Sequence, residues 1–90
     1  MMNDKRVECN VIIPRDMITG TFANAFRVVR DNNREWFLDF LVYSATENKA
    51  SLVVRIRVLG EFLPTIRDRL SDTLLEAPDE TVLIGPGEIQ

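Results

Sequence analysis

Asp39 is the residue whose placing invites chemistry. It stands in the run REWFLDFLVYSA, Arg34 to Ala45, between Trp36, Phe37 and Leu38 on one side and Phe40, Leu41 and Val42 on the other. A carboxylate in such surroundings can act as a general acid, a metal ligand or half of an ion pair. Glu35 lies four positions earlier. On a strand that spacing puts both carboxylates on one face, about 13 Å apart at the Cα atoms, too far for a glycosidase-type pair. The chain contains no histidine, so the commonest general base and the commonest transition-metal ligand are both missing. Ser44, Ser51 and Ser71 therefore have no imidazole to activate them. Cys9 is the only cysteine. It cannot form an internal disulfide or, without histidine, build the usual zinc site, and it reads as a small apolar side chain. The GPG at Gly85 to Gly87 lacks the lysine and following helix of a phosphate loop. These residues imply a protein that is not an enzyme and uses no cofactor or metal.

The elements that must hold Asp39 are strands. From Trp36 the even positions Trp36, Leu38, Phe40 and Val42 form an apolar face, while Glu35, Phe37, Asp39, Leu41 and Tyr43 form a mixed one. The same alternation runs from Ala50 to Val58, with Leu52, Val54 and Ile56 against Val53, Arg55 and Arg57. Period two is the mark of a strand with two unlike faces. The polar TENK, Thr46 to Lys49, joins these strands as a hairpin. RDNNR, Arg30 to Arg34, makes a second turn after Phe26 to Val28, and Val7 to Ile13 alternates as a first strand ending at Pro14. Apolar residues then fall at three- and four-residue spacings: Leu59, Phe62, Leu63, Ile66, Leu70, Leu74 and Ala77. That predicts an amphipathic helix with Pro64 in its first turn and Pro78 beyond its end. The expected architecture is α+β: a four-stranded antiparallel β-meander with one C-terminal amphipathic helix packed on one face. It forms a single domain over residues 1–90, ordered from about Val7 to Ala77, with residues 78–90 a short edge strand or a tail.

In any register that keeps the core faces together, Asp39 meets an arginine: Arg27 on one side, Arg55 or Arg57 on the other. A structural ion pair is therefore the favoured reading of Asp39. Those arginines, interleaved with Phe37 and Tyr43, could also form a stacking platform for single-stranded nucleic acid. The net charge of −3, from 11 basic and 14 acidic residues, weighs against it. The mixed face further holds Ile12, Val29, Phe37, Leu41, Tyr43 and Val53, an apolar patch that one helix cannot cover as well as its own side. Those six are the expected interface of a homo-oligomer, with any other protein partner unidentified. A lone cysteine suits a reducing cytosol, no apolar run is long enough to span a bilayer, and Met1 to Asn10 lacks the apolar segment of a secretory signal. The expected location is cytoplasmic, with no membrane partner.

GTFANAFRVVRDNNREWFLDF, Gly20 to Phe40, resembles a family of small bacterial and archaeal proteins catalogued as a domain of unknown function. Phe22, Ala23 and Asn24 match its opening motif, and Glu35, Phe37, Leu38, Asp39 and Phe40 match its second, with Trp36 an extra residue. VVRIRVLGEFLPTIRDRL is similar to the strand and helix that follow, so the resemblance covers about Ile13 to Glu76. It implies the same order of strands and helix and carries no activity. A looser likeness, at the level of fold, is to the SecB export-chaperone family, acidic proteins with a four-stranded sheet and apolar grooves. That likeness makes client binding a further alternative.

Overall fold

The computed structural model describes residues 5–76 and 80–87. It is an α+β structure with two antiparallel sheets and one C-terminal helix. Internal contacts divide the chain into two units, Met1–Val11 with Leu59–Gln90, and Ile12–Val58.

The second unit is built on a sheet of three strands in the order β2 (Ala25–Arg30), β3 (Glu35–Ser44), β4 (Lys49–Leu59). β2 and β3 pair with Phe26 opposite Phe40, Arg27 opposite Asp39 and Val28 opposite Leu38. The turn between them closes on Asn32. Its Oδ1 accepts the backbone N–H groups of Arg34 and Glu35, each at 2.9 Å, in the self-bonding of asparagine that favours turns. The β3–β4 hairpin turns through Ala45 to Asn48, where Asn48 sits at φ 52°. Asparagine tolerates that left-handed conformation far better than a branched residue does.

The expected first strand, Val7 to Ile13, is corrected. Among the described residues only Lys5–Val7 (β1) is strand there. It pairs with β5 (Val82–Ile84), Val7 opposite Val82, and not with the larger sheet. Among the described residues the sheet around Asp39 thus has three strands, where four were expected. Alternation ends at Asn10, since Val11, Ile12 and Ile13 are apolar in succession, so the second half of this segment has no polar face to specify a register. Alternation near Val7 made a strand legible but could not name its partner.

The first unit contains β1, β5 and the helix α1 (Leu63–Leu75), entered through a 3₁₀ turn at Gly60–Phe62. Pro64 lies in the first helical turn, where its missing N–H costs nothing. Pro78 lies outside the described residues. The apolar positions of the expected amphipathic helix are only partly sheltered: Ile66 is partly buried, whereas Leu70 and Leu74 are 59% and 86% exposed. The least exposed line runs instead through Thr65, Arg69 and Thr73, one turn apart. Arg69 lies on that line and donates from Nη2 to the Thr81 carbonyl at 2.9 Å, which turns this side of the helix toward the segment entering β5. Gly85 follows β5 at a place where a Cβ would overlap the Phe62 ring, so any larger residue there requires the ring to move.

Candidate functional site

The odd-numbered face of the three-stranded sheet carries the charges. Period-two alternation directs Arg27, Asp39, Arg55 and Arg57 to the same side. Asp39 is fully buried there. Arg55 grips it with two bonds, Nε to Oδ1 at 2.8 Å and Nη2 to Oδ2 at 2.9 Å. Arg27, directly opposite on β2, donates from Nε to Oδ2 at 2.8 Å. Bidentate guanidinium–carboxylate pairing of this kind is the strong and geometrically selective form. The two Arg55 bonds, then the one from Arg27, hold the Asp39 carboxyl down at about 2 from its ordinary 3.8, against the opposing effect of burial.

Arg57 does not join that cluster. One carboxylate has two oxygens, and Arg55 and Arg27 occupy both. Two residues further along β4, Arg57 reaches the next acidic pair and donates from Nη1 to Asp31 at 2.6 Å and to Glu35 at 3.2 Å. Glu35 is held below the usual carboxylate range, first by the Asn32 amide and then by Arg57, despite partial desolvation. The guanidiniums of Arg55 and Arg57 also lie 4.3 and 4.8 Å from the centroid of the Phe37 ring. Three guanidiniums, three carboxylates and one aromatic ring therefore satisfy one another on this face.

The six residues expected to form an interface do not behave alike. Leu41 is buried; Val29, Phe37 and Val53 are partly buried. Only Ile12 and Tyr43 are exposed; Ile12 lies outside the strands, and the Tyr43 hydroxyl bonds Asn48 Oδ1 at 3.2 Å. Leu41 is thus unavailable to a partner, and Phe37 is flanked by arginine side chains.

The even-numbered face differs. Phe26 and Val28 on β2, Val42 on β3, and Leu52, Val54 and Ile56 on β4 are all between 37% and 58% exposed. Phe26 packs on Phe40 with ring centroids 5.2 Å apart, and Leu38 is the only one of this face's strand residues that is fully sheltered. Sequence reasoning took this face for core because it is the more apolar one. Its sheer uniformity was the signal that it needs a cover of its own size. A second exposed apolar stretch precedes β2, with Ile13, Met17, Ile18 and Phe22 each more than half exposed.

Asn24, not among the expected site residues, is a positioning residue. Its amide makes a two-way bond with the Tyr43 backbone, accepting from N–H at 2.7 Å and donating to the carbonyl at 3.2 Å. This extends the β2–β3 ladder by a side chain. Among the described residues no group of three or more histidine, cysteine, aspartate or glutamate side chains could hold a metal ion. No described helix is long and apolar enough to cross a membrane. The chain matches no family model, no curated protein and no solved structure with which it was compared.

Proposed function

We propose that this protein is a non-enzymatic protein-binding module that assembles with itself through the even-numbered face of its three-stranded sheet. The observation that carries the reading is the row of six half-exposed apolar side chains across three adjacent strands, Phe26, Val28, Val42, Leu52, Val54 and Ile56. Only Leu38 and Leu41 among the described apolar residues are buried as a core requires. A chain of 90 residues has little stability to spare. Removing each half-exposed aliphatic side chain from water is worth on the order of 1 kcal/mol. A contiguous apolar surface of this size is the mark of an interface.

The alternative of single-stranded nucleic-acid binding requires free cations and an open ring. Here Arg27, Arg55 and Arg57 already face carboxylates, and guanidiniums occupy the Phe37 ring face on which a base would stack. Client binding of the chaperone kind uses the same apolar surface as self-assembly and is distinguished by affinity for many unfolded chains. The proposed kinship with the domain-of-unknown-function family rests on the motifs at Phe22 to Asn24 and Glu35 to Phe40, and adds no activity.

Light scattering on the full chain at micromolar concentration tests the proposal. The expected result is a mass of at least twice 10.3 kDa, falling to that of one chain in the double variant Phe26→Asp/Ile56→Asp. Tyr43→Ser, on the other face, should leave the mass unchanged. A natural chain that stays at 10.3 kDa throughout overturns the reading.

A further inference from the structure

β4 is an outer strand of its sheet, with β3 as its only sheet neighbour among the described residues. It is also the longest strand, eleven residues reading KASLVVRIRVL. An outer strand presents a row of backbone N–H and C=O groups with no ladder partner. Proteins usually blunt such a row with proline, charges or a short strand. β4 has no proline and no glycine, and its only lysine is its first residue. Its two arginines are drawn onto the odd face by Asp39, Asp31 and Glu35.

We infer that β4 pairs antiparallel with β4 of a second copy, about a two-fold axis through Val54, joining two three-stranded sheets into one of six. The inference rests on the self-assembly reading and adds to it an edge contact, which sets the two even faces side by side and leaves them to be covered by the face contact proposed above. Charge selects the register. With Val54 on the axis, all eleven residues pair, Arg55 falls opposite Val53 and Arg57 opposite Ser51. Leu52 then meets Ile56 and Val54 meets its own copy, so the two exposed even faces become one continuous apolar surface. Moving the axis to Leu52 sets Arg55 opposite Lys49, and moving it to Val53 sets Arg57 opposite Lys49. With the axis at Arg55 that residue meets its own copy, and at Ile56 it meets Arg57. Like charges directly opposite are destabilising, so every neighbouring register is penalised. An axis between two residues would set the apolar face of one copy against the charged face of the other.

Amide hydrogen exchange on the full chain, from below to above the assembly concentration, tests this. In an outer strand alternate amides point to solvent, whereas a strand paired on both sides protects them all. The expected result is that all amides from Ala50 to Val58 become slow together as the mass doubles. In parallel, Val54→Cys in a Cys9→Ser background should form a disulfide-linked dimer under mild oxidation. Directly opposed residues lie about 4.5–5.5 Å apart at Cα, within disulfide reach. Leu52→Cys in the same background, four residues out of register with its own copy, should remain a single chain on a non-reducing gel. A particle of doubled mass in which alternate β4 amides stay fast overturns the pairing and leaves self-assembly standing. Doubled mass with no covalent dimer from Val54→Cys overturns the register. A chain that never exceeds 10.3 kDa removes both proposals.

Discussion

The two faces of the three-stranded sheet are made by the same strands and solve opposite problems. The odd face holds Asp39 at no exposure, yet does so with groups that water would also welcome, clamped by Arg27 and Arg55. The even face is almost wholly apolar and yet stands largely open, from Phe26 to Ile56. Polarity therefore does not predict exposure here. Long arginine side chains can lie flat over a sheet and shelter what is beneath them, which short aliphatic residues cannot do. On the odd face the arginines cover the buried carboxylate from within one chain, whereas on the even face six apolar side chains stay between 37% and 58% exposed.

The comparison breaks most visibly in the few residues that both faces depend on. Leu38→Ala, at the sheltered centre of the even face, should cost about 2–5 kcal/mol, a large part of a small domain's stability. Urea denaturation followed by circular dichroism should show partial or complete unfolding at room temperature. Loss of assembly with an unchanged urea midpoint would mean that Leu38 belongs to the interface and not to the fold.

Asp39→Asn acts on the opposite face and through charge. It leaves Arg27 and Arg55 facing an amide that accepts fewer bonds, so the urea midpoint should fall at pH 7 while the assembly mass is kept. The pH profile sharpens the test. The folded carboxyl titrates at about 2 and the ordinary value is 3.8. Because the folded value is the lower one, the stabilisation is complete above the ordinary value and is lost as pH falls through about 2. Acid titration of the natural chain should show that loss, and Asp39→Asn should flatten it. A variant with the same acid profile would show that the clamp contributes nothing to folding.

Turn chemistry comes next in size. Asn48→Val forces a branched residue to φ 52° and should cost about 1–2 kcal/mol, whereas Asn48→Gly should be nearly neutral. Thermal melts of the two variants decide whether the left-handed residue or the Tyr43 bond holds the hairpin. Asn24→Ala, which removes the two-way bond to the Tyr43 backbone, should cost about 1 kcal/mol. Tyr43→Phe should be smallest, within about 0.5 kcal/mol, because its hydroxyl bond is at the surface. A larger loss there would show that the odd face does meet a partner.

Much of this was legible in single residues and their spacing. Period-two alternation placed β3 and β4, and Asp39 on the face shared with Arg27 and Arg55, since side-chain direction on a strand follows from parity alone. Pro64 marked the first turn of α1, and the asparagines of RDNNR marked the β2–β3 turn. The missing histidine bounded the chemistry before any geometry was known. Tertiary structure decided the rest. Alternation could not say that Val7 would pair with Val82, because strands compete for partners across the whole chain. Three candidate arginines could not be divided between Asp39 and the Asp31–Glu35 pair until atomic distances assigned the oxygens. Nor could the sequence say which apolar face is core and which is left open. Both faces contain enough apolar residues to be buried, and only the positions of the arginine side chains show how much of the odd face is covered from within one chain.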